Sequence, residues 1–352
     1  MPSQPPPVAT TTAELPAAVA AAFDLGPVTG DWQPVGGGRS HPLFRLRTAH
    51  GEWAVKRLNR SREDWWWQDH LLAVRIERAA LAAGIAMPRP VEPPHPGAGP
   101  LVDLTVAEEP EPVSFLAWEW CHGSQVAETD APPELRRWVG ATLARLHALT
   151  PAGNAEEGNV YPPHPADAWR RWLDEAGPDT DPAFVRAIAD HLPDVALAYR
   201  TITEAGDQLP DGLWVFTHRD IKPDNILRTA DTPVLLDWEG AGRDLAPWEA
   251  TRTALAFSRT ADGWDRAGFV EVLNAYRAAG GAPVAPVPAA FGGLIDQRLG
   301  GAALMLWRAL GHRPVSPPER ADAHRHALGY LAELRLELAQ LDRWAGWLRE
   351  VA

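Results

Sequence analysis

The chain has 352 residues, 45% hydrophobic and 22% charged, a balance typical of an ordinary globular protein large enough for two lobes. Its 33 basic against 46 acidic side chains give a net charge of −13, which argues against nucleic acid as a main partner and suits a cationic small molecule. A single cysteine, Cys121, excludes an internal disulfide, and no apolar stretch approaches the roughly 20 residues needed to cross a bilayer. No signal-peptide pattern opens the chain, so the expected compartment is the cytoplasm.

Residues 1–12 are rich in Pro and Thr and are expected to be disordered. A short helix is predicted over Leu15–Phe23. Trp32–Val35 then leads into Gly36-Gly37-Gly38-Arg39-Ser40-His41 and the alternating run Leu43–Arg47. Strand, glycine loop and strand is an arrangement that lets backbone amides approach nucleotide phosphates. The next strand is Glu52–Leu58, carrying Lys56.

Only two of the 33 basic residues are lysine, Lys56 and Lys222. Elsewhere the chain uses arginine, so each surviving lysine marks a place where a compact ammonium is wanted rather than a flat guanidinium.

Asp64 to Ile85 is predicted as a helix with Leu72, Ile76, Ala79, Ala80 and Ala83 on one face, preceded by Glu63 and bearing Asp69 and Glu77. Its Trp65-Trp66-Trp67 triplet suits packing. Pro88–Pro112 reads as loops around an edge strand at Leu101–Leu104. Val113–Gly123 is a buried-looking strand ending at a glycine. Helices are predicted over Pro132–Leu149, which ends near His147, and over Ala166–Ala176 and Pro182–Gly206. Asp174, Glu175, Asp179, Asp181, Asp190 and Asp194 make that last region acidic.

Val215 to Asp237 carries the densest chemistry. His218-Arg219-Asp220 ends an apolar lead-in, Lys222 and Asn225 follow, and a tight hairpin through Pro233–Leu236 delivers Asp237. A carboxylate that orients a hydroxyl, with an amide oxygen and a second carboxylate for magnesium, is the set that phosphoryl transfer needs. Residues 245–260, 262–280, 288–312 and 318–350 are predicted helical, which leaves no length for an ordered activation segment after Asp237.

This segment resembles the catalytic loop of the protein-kinase-like superfamily, and Asp237-Trp238-Glu239 is similar to the aminoglycoside phosphotransferase and choline kinase branch. The resemblance runs from about Val28 to Leu310. It implies a bilobal α+β fold: an N-lobe (13–119) with an antiparallel sheet and one helix, and a larger helical C-lobe (120–352) with the catalytic loop and acceptor-binding helices. It implies that Asp220 is the catalytic base and that Lys222 neutralises charge on the transferred phosphate. Asn225 and Asp237 would hold Mg²⁺. Lys56, oriented by Glu77, would bind the phosphates of ATP or GTP beneath Gly37, Gly38 and Ser40. The Glu119 carbonyl and the Cys121 amide would meet the base, and a Trp118 wall there would favour GTP.

The implied activity is phosphorylation of a hydroxyl on a small, polar, cationic molecule, an aminoglycoside-like antibiotic first, or an amino sugar or choline-like amine. A protein kinase is disfavoured by the missing activation segment. A pseudokinase binding module would have lost one of Lys56, Asp220, Asn225 or Asp237, and all four are present.

Overall fold

The computed structural model describes residues 10–36, 41–58, 64–94, 99–149, 162–178, 180–205, 209, 212–313 and 316–351. By its internal contacts the chain divides into two compact units, Met1–Gln125 with Asn225–Glu239, and Val126–Asp224 with Gly240–Ala352.

The first unit opens with α1 (Leu15–Ala22), β1 (Gln33–Val35), β2 (Leu43–Thr48), β3 (Gly51–Leu58), α2 (Asp64–Ala82), β4 (Val102–Leu104), β5 (Val113–Glu119) and β6 (Ser124–Gln125). The second follows with α3 (Pro133–His147), α4 (Ala166–Asp174), α5 (Pro182–Ala189), α6 (Leu192–Thr203) and β7 (Trp214–Thr217). The chain re-enters the first unit for β8 (Ile226–Arg228) and β9 (Val234–Leu235). It returns to the second for β10 (Gly242–Leu245), α7 (Ala246–Phe257), β11 (Arg259–Thr260), β12 (Gly263–Trp264), α8 (Arg266–Ala278), α9 (Gly292–Leu310), α10 (Pro317–Leu338) and α11 (Leu341–Trp347).

In the first unit β1-β2-β3-β5-β4 form one antiparallel sheet, with β4 at its edge as its short, Pro-flanked sequence leads one to expect. Strand alternation separates the two faces. Val55, Phe115 and Ala117 pack with Leu15, Val19 and Phe23 around α1. Leu58 and Leu116 pack on the opposite face with Trp66, Trp67 and Trp118. Lys56 lies opposite Leu116 and Ala54 opposite Trp118, so Lys56 belongs to this second face. The tryptophan pair stacks on buried His70, which is the packing role expected of it. Gly84, at φ +73°, ends α2 three residues short of Ile85, whose N–H donates to Ala80 O. Of the start expected to be disordered, residues 1–9 lie outside the described residues; Thr10 instead pairs with Val106.

In the second unit α3 and α8 cross so closely that a Cβ on Gly140 would sit 2.3 Å from Val272 O. α9 and α10 are joined by Arg298, which donates to Glu337 at 2.7 and 3.0 Å and meets Glu333 at 2.7 Å. Three predicted helices are shorter or divided. Pro182–Gly206 is two helices because Asp190-His191 turns the chain and Pro193 fits only the first turn of α6. Residues 318–350 break after Leu338. The 262–280 stretch begins as the β11–β12 hairpin, and α8 starts only after Asp265, whose carboxylate caps Ala267 N and Gly268 N. Among the described residues no helix is long and apolar enough to cross a membrane.

Candidate active site

In the first unit the β8–β9 hairpin brings two of the expected site residues together. Ile226 lies opposite Leu235, and Leu236 N donates to Asn225 O at 2.8 Å. Asp237 follows immediately, at φ +63°, a left-handed backbone that aspartate tolerates better than most residues. The next turn, Trp238–Gly240, is fixed by buried Trp238, whose indole donates to Leu235 O at 3.2 Å.

Lys56 reaches this hairpin. Its Nζ lies 2.8 Å from Asp237 Oδ1 and 2.7 Å from Glu239 Oε1, and the two carboxylates raise its pKa against the opposing effect of burial. Its side chain is only 13% exposed, so the ammonium depends on these partners. His41, just after the glycine loop, places Nε2 3.8 Å from Glu239 Oε2.

Glu77, expected beside Lys56, is engaged elsewhere: its Oε1 accepts from Trp118 Nε1 at 2.9 Å. Burial, aided by the charge of Glu239 and only partly offset by that bond, pushes its carboxyl up to about 7. Trp118 is thus tied to α2, with its ring 5.9 Å from Lys56 Nζ. β5 ends at Glu119, whose carbonyl lies 4.0 Å from Cys121 Sγ. Gly37, Gly38 and Ser40 lie outside the described residues.

In the second unit, antiparallel β7 and β10 deliver His218-Arg219-Asp220. Arg219 sits at φ +68° and is clamped on both sides. Its N–H donates to Glu249 Oε1 at 2.6 Å, and its carbonyl accepts from Arg252 Nη2 at 2.8 Å. Arg252 also bonds Asp244 Oδ2 at 2.8 Å.

Behind this clamp His147 Nε2 lies 3.1 Å from Glu249 Oε2, and Nδ1 lies 2.8 Å from the Tyr276 hydroxyl. The Glu249 carboxylate can only accept, so Nε2–H donates to it and Nδ1 accepts from the Tyr276 hydroxyl, whose oxygen also accepts from Ala282 N at 3.1 Å. Burial alone would raise the Glu249 pKa; the His147 bond and nearby positive charge instead bring it down to about 2. His147 is therefore a satisfied structural histidine.

Asp220 emerges from this rigid backbone with its side chain 29% exposed, and Lys222 Nζ bonds its Oδ2 at 2.7 Å. Asp296 on α9 is the other perturbed carboxyl near this loop, raised to about 6 by burial and by Asp244. Of the acidic residues between α4 and α6, Asp181 caps α5 and Asp194 holds His191 and Arg335. Asp179 lies outside the described residues.

The oxygen-only pair of Asn225 and Asp237 suits a hard cation that arrives with phosphates. Magnesium usually takes one or two carboxylates and completes its shell with water and phosphate oxygens. Among the described residues no group of three or more His, Cys, Asp or Glu side chains is placed to form an all-protein cage. Sequence reasoning missed Glu239, Glu249, Asp244 and Arg252 as parts of the site. The acid two residues after Asp237 was a readable signal; the others are joined only by the fold.

Residues 31–280 match the family model described as the phosphotransferase enzyme family. None of the curated proteins matches the chain. Among solved structures, a spectinomycin phosphotransferase in complex with ADP and spectinomycin is similar with a TM-score of 0.67 at 12% identity, covering 97% of this chain and 100% of the other. An aminoglycoside phosphotransferase from Alicyclobacillus acidocaldarius is similar with a TM-score of 0.55 at 17% identity, covering 98% of each chain. A choline/ethanolamine kinase family protein from Mesorhizobium loti gives 0.56 at 18%, covering 96% of this chain and 99% of the other. The fold is thus the bilobal α+β kinase-like one, and the chain belongs to the phosphotransferase enzyme family of aminoglycoside phosphotransferase type.

Proposed function

We propose that this small-molecule phosphotransferase moves the γ-phosphate of ATP or GTP onto a hydroxyl of a polar, cationic acceptor, with aminoglycoside-like antibiotics as the first class to test. The observation that carries the reading is the Asp220 carboxylate: it stands next to a doubly clamped backbone yet keeps a solvent-facing side chain. A rigid, accessible carboxylate suits a group that must meet an acceptor hydroxyl in one geometry.

Asp220 orients that hydroxyl and takes its proton as the oxygen–phosphorus bond forms and the bond from the γ-phosphorus to the β–γ bridging oxygen breaks, releasing nucleoside diphosphate. Lys222, already bonded to Asp220, offsets negative charge on the transferred group. Lys56 pairs with the nucleotide phosphates, Gly37, Gly38 and Ser40 cover them, and the Glu119 carbonyl and Cys121 amide meet the base. Asn225 and Asp237 would hold magnesium, which when bound neutralises the phosphates. The net charge of −13 favours a cationic acceptor. Only a short turn and β10 separate Asp237 from α7, which favours a small acceptor over a protein one.

The test is nucleoside-diphosphate release with Mg²⁺ and ATP or GTP, across aminoglycosides, amino sugars and amino alcohols. Asp220→Asn is expected to lower turnover roughly 10²–10⁴-fold with nucleotide affinity nearly unchanged. Near-full activity in that variant would refute the assignment.

A further inference from the structure

Lys56 has three acidic side chains in its surroundings, and they are not equivalent. Asp237 Oδ1 and Glu239 Oε1 lie within 2.8 and 2.7 Å of its Nζ, whereas the Glu77 carboxyl is taken by Trp118 Nε1 at 2.9 Å. Glu77 is also ill suited to anchor an ammonium: it is 6% exposed, and its pKa of about 7 leaves much of it uncharged near neutral pH. Glu239 is placed differently, with its side chain 22% exposed and its Oε1 2.7 Å from the ammonium. It rides on the turn pinned by buried Trp238 and has His41 approaching its other oxygen at 3.8 Å. In the reading above Asp237 is assigned to the metal, so Glu239 is the carboxylate left to Lys56.

We propose that Glu239, not Glu77, is the positioning residue that holds Lys56 toward the nucleotide phosphates. Glu77 instead locks the Trp118 indole against α2. This rests on the phosphotransfer reading for its consequence, but the ion pair itself can be tested without nucleotide or acceptor.

The chain carries only two lysines, so acylation by an amine-selective reagent followed by peptide mass analysis reads Lys56 directly, with Lys222 as internal reference. Lys56 is 13% exposed and Lys222 43%, so Lys56 should label more slowly in the wild type. In metal-free buffer, Glu239→Gln is expected to accelerate labelling of Lys56 several-fold relative to Lys222. Glu239→Asp should restore part of the protection, and Glu77→Gln should leave the ratio within two-fold. With Mg²⁺ and nucleotide, Glu239→Gln is expected to raise the nucleotide KM roughly ten-fold through loss of the ion pair that places Lys56. Glu77→Gln should change it less than two-fold.

Faster Lys56 labelling in Glu77→Gln, with Glu239→Gln unchanged, would overturn the proposal. So would unchanged labelling in Glu239→Gln accompanied only by a higher Mg²⁺ requirement, since that pattern marks a metal ligand. Faster labelling with no change in KM would overturn the positioning role. Wild-type protein that turns over no acceptor would count against the phosphotransfer reading alone, because the labelling ratio still decides the pairing.

Discussion

Truncating Glu249 to alanine strips the His218–Asp220 segment of the acceptor that both its backbone and the neighbouring His147 use. The variant leaves Arg219 N–H and His147 Nε2–H without their partner inside a site where Glu249 is 0% exposed. Each orphaned donor costs about 1–3 kcal/mol, and the cavity adds to this, so a loss of about 4–6 kcal/mol is expected. That is a large share of the roughly 5–15 kcal/mol that holds a domain together.

Glu249→Gln keeps the shape and one acceptor for Arg219 N–H, while His147 turns to its other tautomer to receive the new amide. Its expected cost is about 1–2 kcal/mol. The assay is the urea midpoint at unchanged slope, followed by Trp fluorescence. The pH dependence adds a second signature. Because the folded-state pKa of Glu249 is lowered from 4.5 to about 2, its contribution is present above the unfolded value and lost as pH falls from there toward 2. Glu249→Gln should lack that part of the acid sensitivity. An alanine variant within 1 kcal/mol of wild type, or a glutamine variant as damaged as alanine, would refute the clamp.

Two further perturbations follow from the same physics. Glu77 has the opposite sign: its folded pKa of about 7 exceeds 4.5, so the stability it contributes at low pH is lost as pH rises through that window. Glu77→Gln should therefore gain on wild type between pH 5 and 8 by up to about 2–3 kcal/mol, measured by urea unfolding at both pH values. A constant difference would show that Glu77 does not titrate in that range. Gly140→Ala should destabilise by about 3 kcal/mol or prevent folding, because the new Cβ would lie 2.3 Å from the backbone oxygen of Val272, which cannot rotate away. An alanine variant with wild-type thermal stability would mean that α3 and α8 separate easily.

What the sequence disclosed was whatever its chemistry kept local. Asp220, Asn225 and Asp237 fall within one short stretch whose turn residues announce the hairpin, and strand alternation alone puts Lys56 on the face of Leu58 and Leu116. The contacts of Lys56 with Asp237 and Glu239, and of Glu77 with Trp118, are made across the fold, and no local pattern displays them. His147 and Glu249 stand 102 residues apart and meet only when α3 packs against α7, so no local pattern marks either as support for the Arg219 backbone. The break between α5 and α6 was legible in Pro193, but continuous apolar spacing on both sides concealed it.

The return of residues 225–239 to the first unit bears on how the protein is made. β6 finds its partner in β8, and Ala86 O receives Leu235 N, so the first unit lacks these bonds until the ribosome has delivered the hairpin. At about 5–20 residues per second, the synthesis of residues 126–239 takes roughly 6–23 s. Throughout that interval the growing chain has β6 without its β8 partner and no Asp237 or Glu239 to neutralise Lys56. A fragment cut after Gln125 should therefore be aggregation-prone when expressed alone, and supplying the 225–239 segment in trans is the natural route to rescue it.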